Sequence, residues 1–356
     1  MSFDLWMVRF RLWLASRPGK AHRALGRPKR GAVATPRVGV VRVAAVQMRF
    51  RFLTSAGAFA RTVSQLVNQA AAGGAELVVF PEDVGMMLFG ILPRFERITA
   101  TGSMEEALAR IGPDLSVSSI VELVGKSAER IYLSVFSRLA RDYGMMIQAG
   151  SMPVMSRDGR VYNIAYLFGP RGQLMGTQLK CHLLPLEAEW GFAAGDELVV
   201  LDTPIGRVAQ PICMDATYFE TFRILSAEGA EVVCLPVADP DPSGNPFKSL
   251  RGLWPRVQES GVYGIQSCMV GSALDLTFTG RSGIYAPLDL TPTGDGVLAQ
   301  ALSDDEEIVL ADLDMDALRA FRKEEPIRAN AAFIRAYFPA IYRGFWRGGA
   351  SGATRR

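Results

Sequence analysis

VRVAAVQM (41–48) and ELVVFPE (76–82) are two short, Val-rich apolar runs. Between them lies a helical pattern near Ala58–Ala72 that Gly73-Gly74 closes. Apolar runs of that length are strands buried on both faces, and strand–helix–strand is the repeating unit of a parallel sheet. The alternation continues outward. Ile131–Tyr143 is helical, Gly144 ends it, and the strand MMIQAGSM (145–152) follows. RVYNIAYLFGPRGQLMGTQLK (160–180) is a hairpin that turns at Pro170-Arg171-Gly172. RVAQPIC (207–213) is a strand ending at a cysteine, and helices near 218–228 and 247–260 precede VVCLPVA (232–238) and YGIQSCMV (263–270). EIVLADLD (307–314) is the last strand. Nothing between 40 and 315 resembles a linker or a repeat, so a single α/β domain is predicted.

Composition narrows the possible functions. The 356 residues are 49% hydrophobic and 21% charged, which excludes a wholly disordered chain. No uninterrupted apolar run is long enough for a transmembrane helix. The four cysteines stand far apart without a CxxC pair, so neither a disulfide framework nor a zinc cage is expected. Two histidines are too few for chemistry that needs several His ligands. Residues 1–31 carry eight Lys/Arg against Asp4, a net of +7, and residues 319–356 carry nine against Glu324 and Glu325, again +7. With +3 overall, the body between is −11, unlike a nucleic-acid-binding domain whose positive charge lies on the folded face.

The basic ends are also aromatic. Phe3, Trp6, Met7, Phe10, Trp13 and Leu14 recur at helical spacing up to the stop at Pro18-Gly19. Arginines within the run and the lack of a small-residue cleavage site argue against a cleaved signal peptide. Two readings stay open: a helix lying on an anionic membrane surface through residues 1–33, or an arm packed on its own body or a neighbouring subunit. Phe333, Tyr337, Ile341 and Phe345 form a similar stripe. Residues 84–130 hold an apolar connection longer than such a fold needs, read as a lid over a site in preference to a helical excursion covering a sheet edge.

Three side chains at strand ends can carry chemistry: Glu82, Lys180 and Cys213. A cysteine leaving a strand toward a helix N-terminus is expected to have a lowered thiol pKa. Taken singly, each residue is more often structural. Together they follow a pattern: VAAVQM with Gln47, LVVFPE with Glu82, then Tyr162-Asn163-x-Ala165 with Pro170 and Gly172. Lys180-Cys181-His182-Leu183, Gly195-Asp196, Ile212-Cys213-Met214-Asp215 and Gly280-x-Ser282-x-Ile284-x-x-Pro287 complete it in order. In these motifs the chain resembles the nitrilase superfamily of carbon–nitrogen hydrolases over residues 40–315.

The resemblance implies a four-layer αββα sandwich and a thioester mechanism without cofactor or metal. Cys213 would be the nucleophile and Glu82 the general base, with Lys180 and the backbone N–H of Met214 holding the oxyanion. Glu187 would be the second glutamate of the family, with Glu189 as runner-up. His182 would be a structural hydrogen-bonder. Met86, Trp190, Tyr218 and Phe219 are the expected substrate contacts, in a pocket for an apolar chain. Met214-Asp215 resembles amidases and carbamoylases more than nitrile hydrolases, which typically carry Trp-Glu there.

The expected activity is conversion of a small-molecule carboxamide to acid plus ammonia or amine. The alternatives are a nitrilase or N-carbamoyl hydrolase, an N-acyltransferase that passes the acyl-Cys213 group to an amine, and a non-catalytic binding protein. The expected organisation is an arm (1–37), a hydrolase domain (38–315) with an insertion or lid (84–130), and a tail (316–356). A homodimer or higher homo-oligomer is expected, cytoplasmic or peripheral to the inner face of the membrane, with no nucleic-acid partner.

Overall fold

The computed structural model describes residues 3–26, 38–92, 95, 106, 116–240, 252–273, 276–326 and 330–348. Its helices are α1 (Phe3–Ala15), α2 (Pro18–His22), α3 (Ala56–Ala72), α4 (Val117–Tyr143), α5 (Pro185–Glu189), α6 (Phe219–Ala227), α7 (Leu253–Ser260), α8 (Met315–Glu324) and α9 (Ala331–Gly348). The strands are β1 (Val40–Arg49), β2 (Leu77–Val79), β3 (Met146–Met155), β4 (Val161–Phe168), β5 (Leu174–Leu179), β6 (Val200–Thr203), β7 (Gly206–Ala209), β8 (Val232–Val237), β9 (Tyr263–Ala273), β10 (Leu276–Thr279), β11 (Gly283–Tyr285), β12 (Val297–Gln300) and β13 (Glu307–Asp314).

The strands form one sheet in the order β5-β4-β3-β2-β1-β9-β8-β7-β6, with β13 antiparallel to β1. The two halves are joined by strand pairing at the end of β1, where Met48 and Arg49 pair with Met269 and Val270. From that seam the halves fold face to face. Side-chain alternation then fixes four layers. On β1, Ala44, Val46 and Met48 join the core beneath α3 and α4, while Val41, Val43 and Ala45 face the other half of the sheet. On β8, Val232 and Cys234 enter that same inter-sheet core, and Val233 and Leu235 pack under α6 and α7. Helix, sheet, sheet and helix thus enclose three apolar interfaces, the αββα arrangement that the motifs implied.

The 84–130 stretch is described at its two ends. Residues Val84–Ile91 form a fully buried 3-10 turn, and α4 is one 27-residue helix running through position 130. Met87, Leu88 and Phe89 fill the core beneath α3 and α4 because the turn directs them inward. The middle of the stretch, 93–94, 96–105 and 107–115, lies outside the described residues.

Residues 1–318 form one compact unit and 319–356 a second. Within the first, α1, α2 and the turn after α2 pack on the body through Leu12, Ala21 and Leu25, and His22 Nε2 lies 2.7 Å from Ser134 Oγ on α4. In the second, Phe333 and Tyr337 are exposed neighbours on α9 with ring centroids 4.8 Å apart. The side chains of Ile341 and Phe345, expected to continue that stripe, lie outside the described residues.

Candidate active site

The carboxyl ends of the parallel strands of both halves converge on one buried cluster. In sheets of this kind such ends are where ligands bind. Glu82 follows β2 by three residues. Its approach depends on Gly150, which sits in β3 with φ +78° and whose added Cβ would lie 2.0 Å from the Pro81 carbonyl oxygen. A residue with a side chain here would push the Pro81-Glu82 segment out of place. An irregularity in the β3–β4 pairing between Gln148 and Ser151 accompanies it, and Ser151 Oγ accepts a hydrogen bond from the Asp83 N–H at 3.1 Å.

Lys180 is the first residue after β5, and its side chain is 0% exposed. Its Nζ donates to Glu82 Oε1 at 2.8 Å and to Glu187 Oε2 at 2.5 Å. Asn163 of β4 donates to both carboxylates, at 3.0 Å to Glu82 and 3.3 Å to Glu187. Glu82 Oε2 accepts from the Ala238 N–H at 2.9 Å, just past β8 in the other half of the sheet. Glu187 is held in turn by the Leu184 N–H, 2.8 Å from its Oε2. Of the two glutamates considered from sequence, Glu187 therefore reaches Lys180, whereas Glu189 is exposed.

Cys213 opens a short 3-10 turn, Cys213–Thr217, with a left-handed φ of 45°. β7 ends at Ala209, so the thiol stands beyond the strand and not at its last residue. Its buried thiol interacts electrostatically with both Glu82 and Lys180. The lowered thiol pKa expected from sequence is reversed. Burial pushes the Cys213 thiol well up and Glu82 adds to this, with Lys180 only partly opposing them. The physical reason is that the thiol is buried away from water beside the Glu82 carboxylate. Burial also raises Glu82, with Lys180 opposing and Glu187 adding. Burial pulls Lys180 down, but Glu82, Cys213 and Glu187 more than reverse this and keep it an ammonium. The resting site thus holds a neutral thiol beside a Lys-paired carboxylate.

Asp215 ties the cysteine turn to the lysine segment. It is fully buried and accepts from the N–H groups of Ile212 (2.9 Å), Cys181 (3.1 Å) and His182 (2.7 Å). His182 Nδ1 also lies 2.9 Å from its Oδ1. Asp215→Ala is expected to cost about 2–4 kcal/mol, because several donors lose their acceptor at once. It should also lower kcat by letting Cys213 drift from Lys180. Thermal melts and initial rates check this, and an unchanged melt would remove Asp215 as the clamp.

Above the cluster opens a pocket lined by Phe50, Phe52, Met86, Leu184, Trp190 and Phe278, with Glu82, Lys180 and Glu187 among its lining residues. Met86 and Trp190, two of the residues expected to contact substrate, line this pocket. Tyr218 and Phe219 are not part of this wall. The 3-10 turn carries them outward, where both are exposed and Tyr218 stacks on the His182 ring at 4.2 Å.

Two participants were not assigned a role from sequence. Asn163 was visible only as a hairpin motif residue, and Asp215 only as the residue two after the cysteine. Other motif residues prove to be braces. Gln47 Oε1 accepts from the Ser282 N–H at 2.9 Å, and Ser282 Oγ accepts from the Cys268 N–H at 2.9 Å, locking β1 to β9.

Comparison with known proteins agrees with this architecture. The carbon-nitrogen hydrolase profile matches residues 42–323. The Bacillus subtilis protein YhcX is 31% identical over 295 residues, covering 81% of this chain but 52% of that protein, so the chain spans about half of that relative's length. A nitrilase of Pyrococcus abyssi is 30% identical over 282 residues, covering 79% of this chain and 92% of its own. Among solved structures, an amidase from Nesterenkonia sp. AN1 in complex with acrylamide superposes with a TM-score of 0.60 at 21% identity, over 82% of this chain and 97% of that one. Joined by its motifs, its four layers and these relatives, the chain belongs to the carbon-nitrogen hydrolase family of the nitrilase superfamily.

Proposed function

We propose that the protein is an amidase that converts a carboxamide with an apolar acyl group to the acid and ammonia or amine through a Cys213 thioester. The observation that carries this reading is the buried Glu82–Lys180–Glu187 cluster, in electrostatic contact with the Cys213 thiol and opening on an apolar pocket. Because the resting thiol is neutral, attack and deprotonation occur together. Cys213 Sγ bonds to the amide carbon as its proton passes to Glu82. The carbonyl electron pair moves onto oxygen, where the Lys180 ammonium and the Met214 N–H receive it. Two of the three Lys180 N–H donors are engaged by Glu82 and Glu187 among the described residues, which leaves one for the oxyanion. Glu82 then gives its proton to the nitrogen, the C–N bond breaks, and the amine leaves. Water, deprotonated by Glu82, attacks the thioester, and collapse returns the proton to sulfur. Glu187 and Asn163 keep Lys180 and Glu82 in register through both halves of the cycle.

The test is release of ammonia or amine from a panel of short- and long-chain amides, alongside nitriles and carbamoyl compounds, across a range of pH. Release from apolar amides is expected. The acid limb of kcat/KM should lie above the ordinary carboxyl value of 4.5, because protonated Glu82 cannot take the thiol proton and burial has raised its pKa. Release from none of the amides, or an acid limb at or below 4.5, contradicts the proposal. Preferred turnover of a nitrile to acid would replace the amidase reading with a nitrilase one.

A further inference from the structure

We propose that the protein docks on anionic lipid bilayers through the ridge Trp6–Phe10–Trp13 of α1. The ridge follows from spacing. Positions 6, 10 and 13 fall on one stripe of a helix, while Leu12 on the opposite side is only 2% exposed and packs into the core beneath α3 and α4. One face of α1 is therefore fixed to the body and the other is turned to solvent. Trp6, Phe10 and Trp13 are 49%, 42% and 43% exposed, and their rings stack in series at 5.4 and 6.0 Å. Three large aromatic rings held side by side at a protein surface form an apolar patch of the kind that marks an interaction site.

Charge identifies the occupant. Arg9, Arg11, Arg17, Lys20 and Arg23 are all exposed on α1 and the segment just after it. The Arg17 guanidinium lies 4.5 Å over the Trp13 ring, beside the ridge and free of any paired carboxylate among the described residues. Arg9 is partly offset by Glu122 at 3.5 Å. The segment 1–31 is +7 while the central body is −11. Indole rings settle at the headgroup level of a bilayer, and flanking guanidinium and ammonium groups meet lipid phosphates there. A second copy seated on the same ridge would face +7 with +7, so a lipid surface is the better complement. At 13 residues α1 is about 20 Å long, shorter than the hydrocarbon core, so it lies along the surface and does not cross it. No described helix is long and apolar enough to cross a membrane.

Vesicle flotation of the full chain tests the proposal, using phosphatidylcholine vesicles with and without phosphatidylglycerol. Flotation is expected only with the anionic vesicles and should weaken as salt is added. The triple variant Trp6→Ala/Phe10→Ala/Trp13→Ala should bind at least about tenfold more weakly while keeping the parental melt and amide turnover. Should that variant be poorly folded, Phe10→Asp is the second arm, with the same expectation. A parent that does not float, or ridge variants that float as well as the parent, would overturn the proposal. So would a parent that ignores vesicles but self-associates through the ridge. Amide turnover is read separately, so failure of docking and failure of the amidase reading are distinguishable.

Discussion

Cys213→Ala is expected to lose amide hydrolysis by at least about 10⁴-fold while folding as the parent does. The thiol is the only side-chain nucleophile in the proposed cycle, and neither Glu82 nor Lys180 can replace the thioester step. The fold should not suffer. The substitution removes one sulfur from a turn whose backbone is fixed by Asp215, and alanine accepts the φ of 45° no worse than cysteine does. Intact-protein mass after brief incubation with a good amide gives the positive control: an acyl adduct on the parent and none on the variant. Turnover by Cys213→Ala within tenfold of the parent would remove the thioester mechanism altogether.

Lys180→Met is expected to damage both activity and stability. Loss of an oxyanion donor costs about 10²–10³ in kcat. Stability falls because Glu82 and Glu187 would remain buried with their shared cation gone. Removing one partner of a buried ionic cluster costs about 3–5 kcal/mol. The sign with pH follows from the same charges. Glu82 is already raised by burial, and without Lys180 opposing, it rises further. Protonation of a carboxylate whose folded pKa is raised relieves the charge, so the variant's deficit against the parent should be largest near neutral pH. It should shrink as pH falls through the raised value. The double variant Lys180→Met/Glu187→Gln should recover part of the stability and none of the turnover. Thermal melts at two pH values with matched rates check this. A single variant that melts with the parent at neutral pH would mean that the cluster is not held by its ionic contacts.

Much of this site was legible in the sequence. Glu82, Lys180 and Cys213 follow apolar runs, and their motifs stand in the order of one superfamily. Glu187 was preferred to Glu189 on spacing, and the Leu184 N–H holds it where Lys180 can reach. Other features depended on direction, which spacing does not carry. Met87, Leu88 and Phe89 are as apolar as Met86, but only the buried turn decides that Met86 reaches the pocket while the others fill the core. Tyr218 and Phe219 follow the nucleophile closely, yet the 3-10 turn sends them outward.

The sequence by itself determined the strand–helix alternation, the two basic aromatic ends and the side chains of the candidate site. Those properties reside in local periodicity and in residue type. Only the tertiary structure decided how the groups act on one another. Glu82 is placed against Cys213 and beneath Ala238 because the two halves of the sheet fold face to face, and no local pattern encodes that approach. The direction of the thiol's pKa follows from that proximity and burial. So does the split of α1 into a packed face and an exposed ridge, because burial depends on which surface of the body lies opposite a helix.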